Sequence, residues 1–269
     1  MANNARDLSA FATLAELSAA LEEGSTTSAA IVLRALDRIE AHDPALNSFV
    51  MTFPEAALAA AEAADQRRRQ GKPKGRLDGI PFAAKDLLDV EAYPTFAGSK
   101  ALAGKPATAT ASVLRRLADA GMVLVGKVQT VEFAFGSWGT NPVAGTPLNP
   151  HDRAVPRAPG GSSSGSGVAV AAGLVPMALG TDTTGSVRNP SAMCGVVGLK
   201  TTAGLVGRDG LLPLATTFDS VGPLARSVED AALVLAAIEG EDAGDPATYG
   251  VMPIRPLEGL DRGVAGMRF

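Results

Sequence analysis

The sequence predicts an α/β fold built on a substantially parallel sheet. The first observation is that short apolar strand-like runs alternate with helix-like runs from Leu77 onward, the pattern of strands joined through helical crossovers. The second is composition: 46% hydrophobic and 19% charged residues mark a globular chain, and with 4% aromatics its core must be mostly Ala, Val and Leu. The third is a pair of turns rich in Gly, Ser and Thr, at 160–167 and 180–186, that adjoin apolar runs with no polar spacer.

The first quarter reads as helical. Thr13 and Glu16 have the spacing of a capping box ahead of Leu14, Leu17 and Leu21. Ile31, Val32, Ala35, Leu36 and Ile39 mark one face of a second helix, which Pro44 is expected to end. A strand is expected over Asn47–Phe53, and Thr52–Glu55 is expected to open an Ala-rich third helix. Strands then follow at Gly79–Ala84, Met122–Val125, Val175–Leu179 and Val196–Leu199. Helices are expected at Ala111–Ala120, at Val168–Ala172 and from a Ser227/Asp230 cap to Ile238. The last seven residues, GVAGMRF, look like the opening of another buried strand, so the chain is expected to be cut short.

Several function classes are excluded early. The net charge of −4 implies no general affinity for nucleic acid. The six cations of DQRRRQGKPKGR, 65–76, read as a solvated helix end that complements the helix dipole. The single cysteine, Cys194, allows no internal disulfide and sits in an apolar run as a structural thiol. The N-terminus lacks a signal-peptide pattern, and no run reaches the roughly 18 apolar residues of a membrane span, so a cytoplasmic location is expected. Two histidines, His42 and His151, with no metal-ligand spacing, leave no metal expected, and no cofactor motif is present: the Gly-rich turn is neither a P-loop nor a dinucleotide fingerprint.

Serine chemistry remains. Gly161–Gly165 formally matches the nucleophile elbow around Ser163, although both histidines precede that serine. A serine can also be activated by a neutral lysine, and burial lowers a lysine pKa by several units. Lys85 lies flush with the apolar run Gly-Ile-Pro-Phe-Ala-Ala; the alternative is a strand-end lysine reaching solvent or pairing with Asp86. The second turn, LGTDTTGSVRNPSAMCG, has the small residues that let backbone N–H groups converge on an oxyanion, with Ser186 closing the turn.

These residues together resemble the amidase signature family. GGSSSGSG is followed 24 residues after Ser162 by Ser186 in GTDTTGSVRNPSAMCGVVGLKTT, and LDGIPFAAKDLLDV resembles the family's lysine strand. GKVQTVEFAFG, GTNPVAGTPLNP and FDSVGPLARSVEDAALVL match further blocks in order, from about Leu14 to Leu235. The resemblance implies a mixed, largely parallel twisted sheet flanked by helices. It implies one amidase signature domain over 1–269, incomplete, with a helical part to 76, the signature core over 77–240 and the start of a C-terminal part beyond. It implies a Ser–Ser–Lys triad in which Ser186 is the nucleophile, Ser162, after a cis bond from Gly161, the proton relay, and Lys85 the neutral base. The amides of Thr183, Thr184, Gly185 and Ser186 are then expected to form the oxyanion hole. Gly161 and Ser163 are expected to support the loop and the lysine, and Asp182 with Arg188 to hold the turn.

Two departures stand out: GGSSSGSG where many relatives read GGSSGGS, and Val128-Gln129 where Thr-Asn is frequent. The expected activity is hydrolysis of a small or aryl carboxamide, with no nucleic-acid or membrane partner and a homodimer left open. The alternatives are the glutaminase subunit of a tRNA-dependent amidotransferase, which needs partner subunits, and a non-catalytic fragment that keeps the scaffold.

Overall fold

The computed structural model describes residues 9–102, 104–152 and 154–268. The start of the chain, in which no signal peptide is read, and Phe269 lie outside the described residues.

The capping box at Thr13 forms: Glu16 N–H donates to Thr13 Oγ1 at 3.2 Å, and Thr13 N–H to Glu16 Oε2 at 2.8 Å, opening helix α1, Leu14–Glu22. Helix α2, Ser28–Leu46, is longer than expected and carries Pro44 inside its last turn. It ends instead at Asn47, in the left-handed conformation at φ 52°, while the Asp43 carboxylate takes the Ser48 and Phe49 amides. Strand β1, Phe49–Thr52, leads into helix α3, Pro54–Arg69. Pro54 fills the first helical turn, where its missing N–H costs nothing, and Thr52 makes no cap. The basic last turn of α3 and the segment after it wrap a buried acid: Arg67 Nη2 lies 2.5 Å from Asp78 Oδ1, and Lys74 N–H donates to Asp78 Oδ2.

Strand β2, Pro81–Lys85, starts after a turn at Gly79 (φ 86°) and contains Lys85 as its last residue. Helix α4, Ser112–Asp119, precedes strand β3, Val123–Val128. Helix α5, Ser164–Ala171, begins four residues before the expected apolar start, because Ser164, Gly165 and Ser166 are themselves buried. Strand β4, Met177–Asp182, starts two residues late, since Pro176 has no N–H to give the ladder. Helix α6, Arg188–Cys194, strands β5, Val197–Gly198, and β6, Ser220–Ala225, and helix α7, Val228–Ile238, follow. The strand expected near the C-terminus does not form: Val264 and Met267 are 65% and 58% exposed, and no described strand pairs with them.

The six strands form one mixed sheet in the order β1-β3-β2-β4-β6-β5. The centre, β3-β2-β4, is parallel, and β1 and β6 join it antiparallel. Because β5 is antiparallel to β6, four of the six strands run the same way. One face packs on α1, α4 and α7 through Leu14, Leu117 and Val234 against Phe82 and Leu179. The other packs on α2, α3 and α5 through Val32, Ala61 and Val168 against Ala83 and Ala178.

One irregularity in this sheet matters for the site. Between β2 and β3 the register passes from Phe82↔Leu124 to Ala83↔Gly126, leaving Val125 as an extra residue. Such a bulge flips the side-chain alternation beyond it. Lys127 then stands beside Ala84, and Val128 beside Lys85, so the two lysines point to opposite faces.

Candidate active site

Lys85 is fully buried at the end of β2. Its Nζ lies 2.7 Å from Ser162 Oγ and 2.8 Å from Thr181 Oγ1. Burial pulls its pKa down to about 7, although the Asp182 and Asp219 carboxylates favour the charged form. The sequence alternative of a lysine paired with Asp86 does not hold: Asp86 pairs with Lys127, 2.7 Å away and equally buried.

Ser162 follows a cis peptide bond from Gly161 and is fully buried. Its carbonyl accepts from Val131 N–H and from Thr130 Oγ1, both at 3.1 Å, so the Gln129–Val131 segment pins the loop. The Gly/Ser composition here serves close packing. A Cβ on Gly165 would sit 2.4 Å from Ser48 O and from Gln129 N, and Gly160, at φ 77°, would meet Pro190 at 2.7 Å. Ser166 Oγ donates to Leu179 O at 3.0 Å, tying α5 to β4. Gln129 Nε2 donates to Ala144 O at 3.3 Å, and its backbone carbonyl accepts from Gly165 N–H.

The turn after β4 is organised by one carboxylate. Asp182 Oδ1 accepts from Gly185 N–H at 2.8 Å and Arg188 Nη2 at 3.0 Å; Oδ2 accepts from Val187 N–H and Arg188 Nε. Burial would raise the Asp182 carboxyl, but Arg188 and the turn amides outweigh it and hold it below its ordinary value. The Gly185 amide is therefore taken by Asp182, a correction to the expectation that all four turn amides face an oxyanion. The Thr183, Thr184 and Ser186 amides have no acceptor among the described residues.

Ser163 N–H donates to Ser186 O at 3.2 Å, which seats the two loops against each other. Ser186 is 6% exposed and lines a cavity of about 480 Å³ with Gly161, Thr184, Phe135, Leu214 and Phe218. Its hydroxyl is not hydrogen-bonded to that of Ser162. Ser163, the centre of the elbow pattern, does not line the cavity; its Oγ is fully buried and lies 3.3 Å from both the N and the O of Thr181.

Four neighbours escape sequence reasoning. Thr181 touches Lys85, and Lys127 mirrors it on the next strand. Lys200 Nζ donates to Asp182 O at 2.6 Å and Ser220 Oγ at 2.7 Å, and Asp219 takes the Thr183 hydroxyl. Lys127 carries a usable signal, being a lysine inside the apolar run Met122–Val128; the others depend on which strands become neighbours. Cys194 is buried, with its thiol pushed up to about 12 by burial, and His151 Nε2 lies 2.7 Å from Cys194 O. Among the described residues no group of His, Cys, Asp and Glu is arranged to hold a metal, and no helix is long and apolar enough to cross a membrane.

The amidase family model matches residues 30–263. The A-type subunit of the glutamyl-tRNA(Gln) amidotransferase of Chloroflexus aurantiacus is 48% identical over 87% of this chain and 47% of that protein. The solved peptide amidase of Stenotrophomonas maltophilia superposes with a TM-score of 0.84 at 42% identity, over 89% of this chain and 50% of its own. A chain from a vestigial protein complex, described for the evolutionary origins of an s-triazine catabolic enzyme, superposes with a TM-score of 0.90 at 42% identity, over 96% and 56%. The chain spans about half the length of the curated relatives it matches. With 234 consecutive residues under the family model and these two superpositions, the chain belongs to the amidase family.

Proposed function

We propose that the chain carries an amide-cleaving centre in which Ser186 is the nucleophile, Ser162 the relay and Lys85 the base. Its substrate is a small or aryl carboxamide. The observation that carries this reading is a fully buried lysine, 2.7 Å from a buried serine hydroxyl and with a pKa near 7. A neutral amine there has a lone pair for the Ser162 proton, and Ser162 then takes the proton of Ser186.

The Ser186 hydroxyl turns toward Ser162 and its oxygen attacks the carbonyl carbon. The carbonyl π bond opens to an oxyanion, which the Thr183, Thr184 and Ser186 amides receive. The proton returns from Lys85 through Ser162 to the leaving nitrogen as the C–N bond breaks. Water then adds to the acyl ester by the same route, releasing acid and free Ser186. Ser163 supports Lys85 through Thr181, and Asp182 with Arg188 holds the turn. We place the protein in the cytoplasm, in keeping with a single thiol that is buried and unpaired.

A fluorophosphonate probe on purified protein, followed by peptide mass spectrometry, tests the reading. Ser186 displaces fluoride from phosphorus and stays bonded to it. The expected adduct lies on Ser186 and disappears in Ser162→Ala; an adduct on Ser163 instead would overturn the assignment. The identity to a glutamyl-tRNA(Gln) amidotransferase component favours a second reading, a glutaminase dependent on partner subunits. Hydrolysis of free glutamine, strongly stimulated by such subunits, with small carboxamides left intact would select it.

A further inference from the structure

We infer that Asp219 is a positioning residue of this site, its buried carboxylate fixing the anion-binding turn and the apolar wall of the cleft against each other. The inference rests on the functional reading above. Asp219 immediately precedes β6, and because Ser220 pairs with Asp182 in the ladder, Asp219 falls opposite Thr183. It is 4% exposed. Its Oδ1 accepts from Thr183 Oγ1 at 2.5 Å, in the turn that ends at Ser186. Its Oδ2 accepts from the amides of Leu214 and Ala215, at 2.9 and 3.0 Å. Leu214, Ala215 and Phe218 line the same cavity as Thr183 and Ser186. The 215–219 segment also closes on itself, with Phe218 N–H and Asp219 N–H both donating to Ala215 O at 2.9 Å.

One carboxylate therefore joins two walls that are 36 residues apart at Thr183 and Asp219. If the 214–218 wall drifts, the gap between the acyl-binding surface and the Thr183 amide changes with it. Misplacement of about 1 Å costs a reaction up to about 10²-fold. Thr183 and the wall supply three donors, and the two carboxylate oxygens accept all three, one on Oδ1 and two on Oδ2. Asparagine preserves the geometry in another way: its oxygen takes the two amides while its NH₂ donates to Thr183 Oγ1, which can accept. The charge is then lost and the clamp kept. The charge has its own effect, since Asp219 and Asp182 are the carboxylates that favour the protonated form of Lys85.

The experiment compares wild type with Asp219→Ala, Asp219→Asn and Thr183→Val in two readouts: the rate of fluorophosphonate labelling against pH, and hydrogen exchange of the Leu214 and Ala215 amides. Asp219→Ala is expected to label up to about 10²-fold more slowly and to lose protection of both amides. Asp219→Asn is expected to recover protection and most of the rate, with the rising limb of the pH profile displaced to lower pH. Thr183→Val slows labelling while both amides stay protected. Labelling of Asp219→Ala at the wild-type rate overturns the inference, as does an Asn variant with an unshifted limb. Should Asp219→Ala fail to fold, Thr183→Val labelling like wild type, together with that unshifted limb, overturns it. A wild-type protein that takes no probe on Ser186 sinks the catalytic reading alone. The inference about Asp219 then stands on protected Leu214 and Ala215 amides and falls on unprotected ones.

Discussion

Lys85 and Lys127 sit on adjacent parallel strands, both with no exposure, and differ in almost everything else. Lys127 Nζ has a carboxylate, Asp86, at 2.7 Å, the Thr95 hydroxyl at 2.8 Å and the Pro94 carbonyl at 3.1 Å. That is a cradle for an ammonium. Lys85 Nζ has two hydroxyls, and the carboxylates that act on it, Asp182 and Asp219, make no hydrogen bond to it. Burial alone is the same for both. What separates a structural cation from the proposed base is whether an anion is in contact, and a single bulged residue, Val125, decides which face each lysine meets.

Of the two lysines, Lys85 is the more sensitive to replacement. Lys85→Met should reduce fluorophosphonate labelling of Ser186 by about 10²- to 10⁴-fold, the usual reach of a general base. The same change should make the fold more stable. The folded-state pKa lies near 7, below the ordinary 10.5 of the unfolded chain, so the folded protein resists protonation. The destabilisation is complete below pH 7 and is relieved as pH rises toward the unfolded value. The stability gained by Lys85→Met should therefore be largest at pH 6, on the order of a few kcal/mol, and shrink by pH 10. Urea melts at the two pH values measure it.

Lys127→Met should go the other way, losing about 3–5 kcal/mol, because Asp86 is left as a buried, unpaired charge. Removing both partners, with Asp86→Leu added, should recover much of that loss in the same melts. If Lys127→Met and Lys85→Met shift the melt in the same direction, the distinction between the two lysines fails. Labelling of Ser186 should rise with pH through about 7 and level off above, falling about tenfold per pH unit below. A flat profile between pH 5 and pH 9 would mean that Lys85 is already neutral or plays no part.

Much of this is legible in the sequence, and unevenly so. Elements whose faces follow a simple period, such as α1, α4 and α7, read close to their true bounds. Lys85 is legible because a lysine flush with an apolar strand is anomalous wherever that strand packs. Choosing Ser162 over Ser163 and Ser164 is not possible from local chemistry, since all three are small, polar and buried; only the family resemblance orders them. Thr181 and Asp219 are invisible there because their importance comes from register, β4 beside β2 and β6 beside β4. The start of α5 is misplaced in the sequence reading because glycine and serine read as loop, whereas here they permit a helix to lie against Gln129 and Ser48.

Thr181 offers the smallest and most specific test of how Lys85 is aimed. Its Oγ1 is the second hydroxyl on Lys85 Nζ, while its backbone N and O hold Ser163. A neutral amine that donates one N–H to Thr181 has its lone pair turned toward Ser162. Thr181→Val keeps the branched shape and the backbone contacts but removes that acceptor. The loss of one such bond is worth about 0.5–1.5 kcal/mol, or roughly a 2- to 12-fold slower labelling at pH 8. It should also displace the rising limb to lower pH, because a protonated Lys85 loses the same acceptor and is left less stable. The backbone contacts of Thr181 with Ser163 are kept, so the fold should lose no more than the worth of that one bond. A loss far beyond tenfold would mean that Thr181 does more than aim the amine. No change in rate or limb would mean that Ser162 alone orients Lys85.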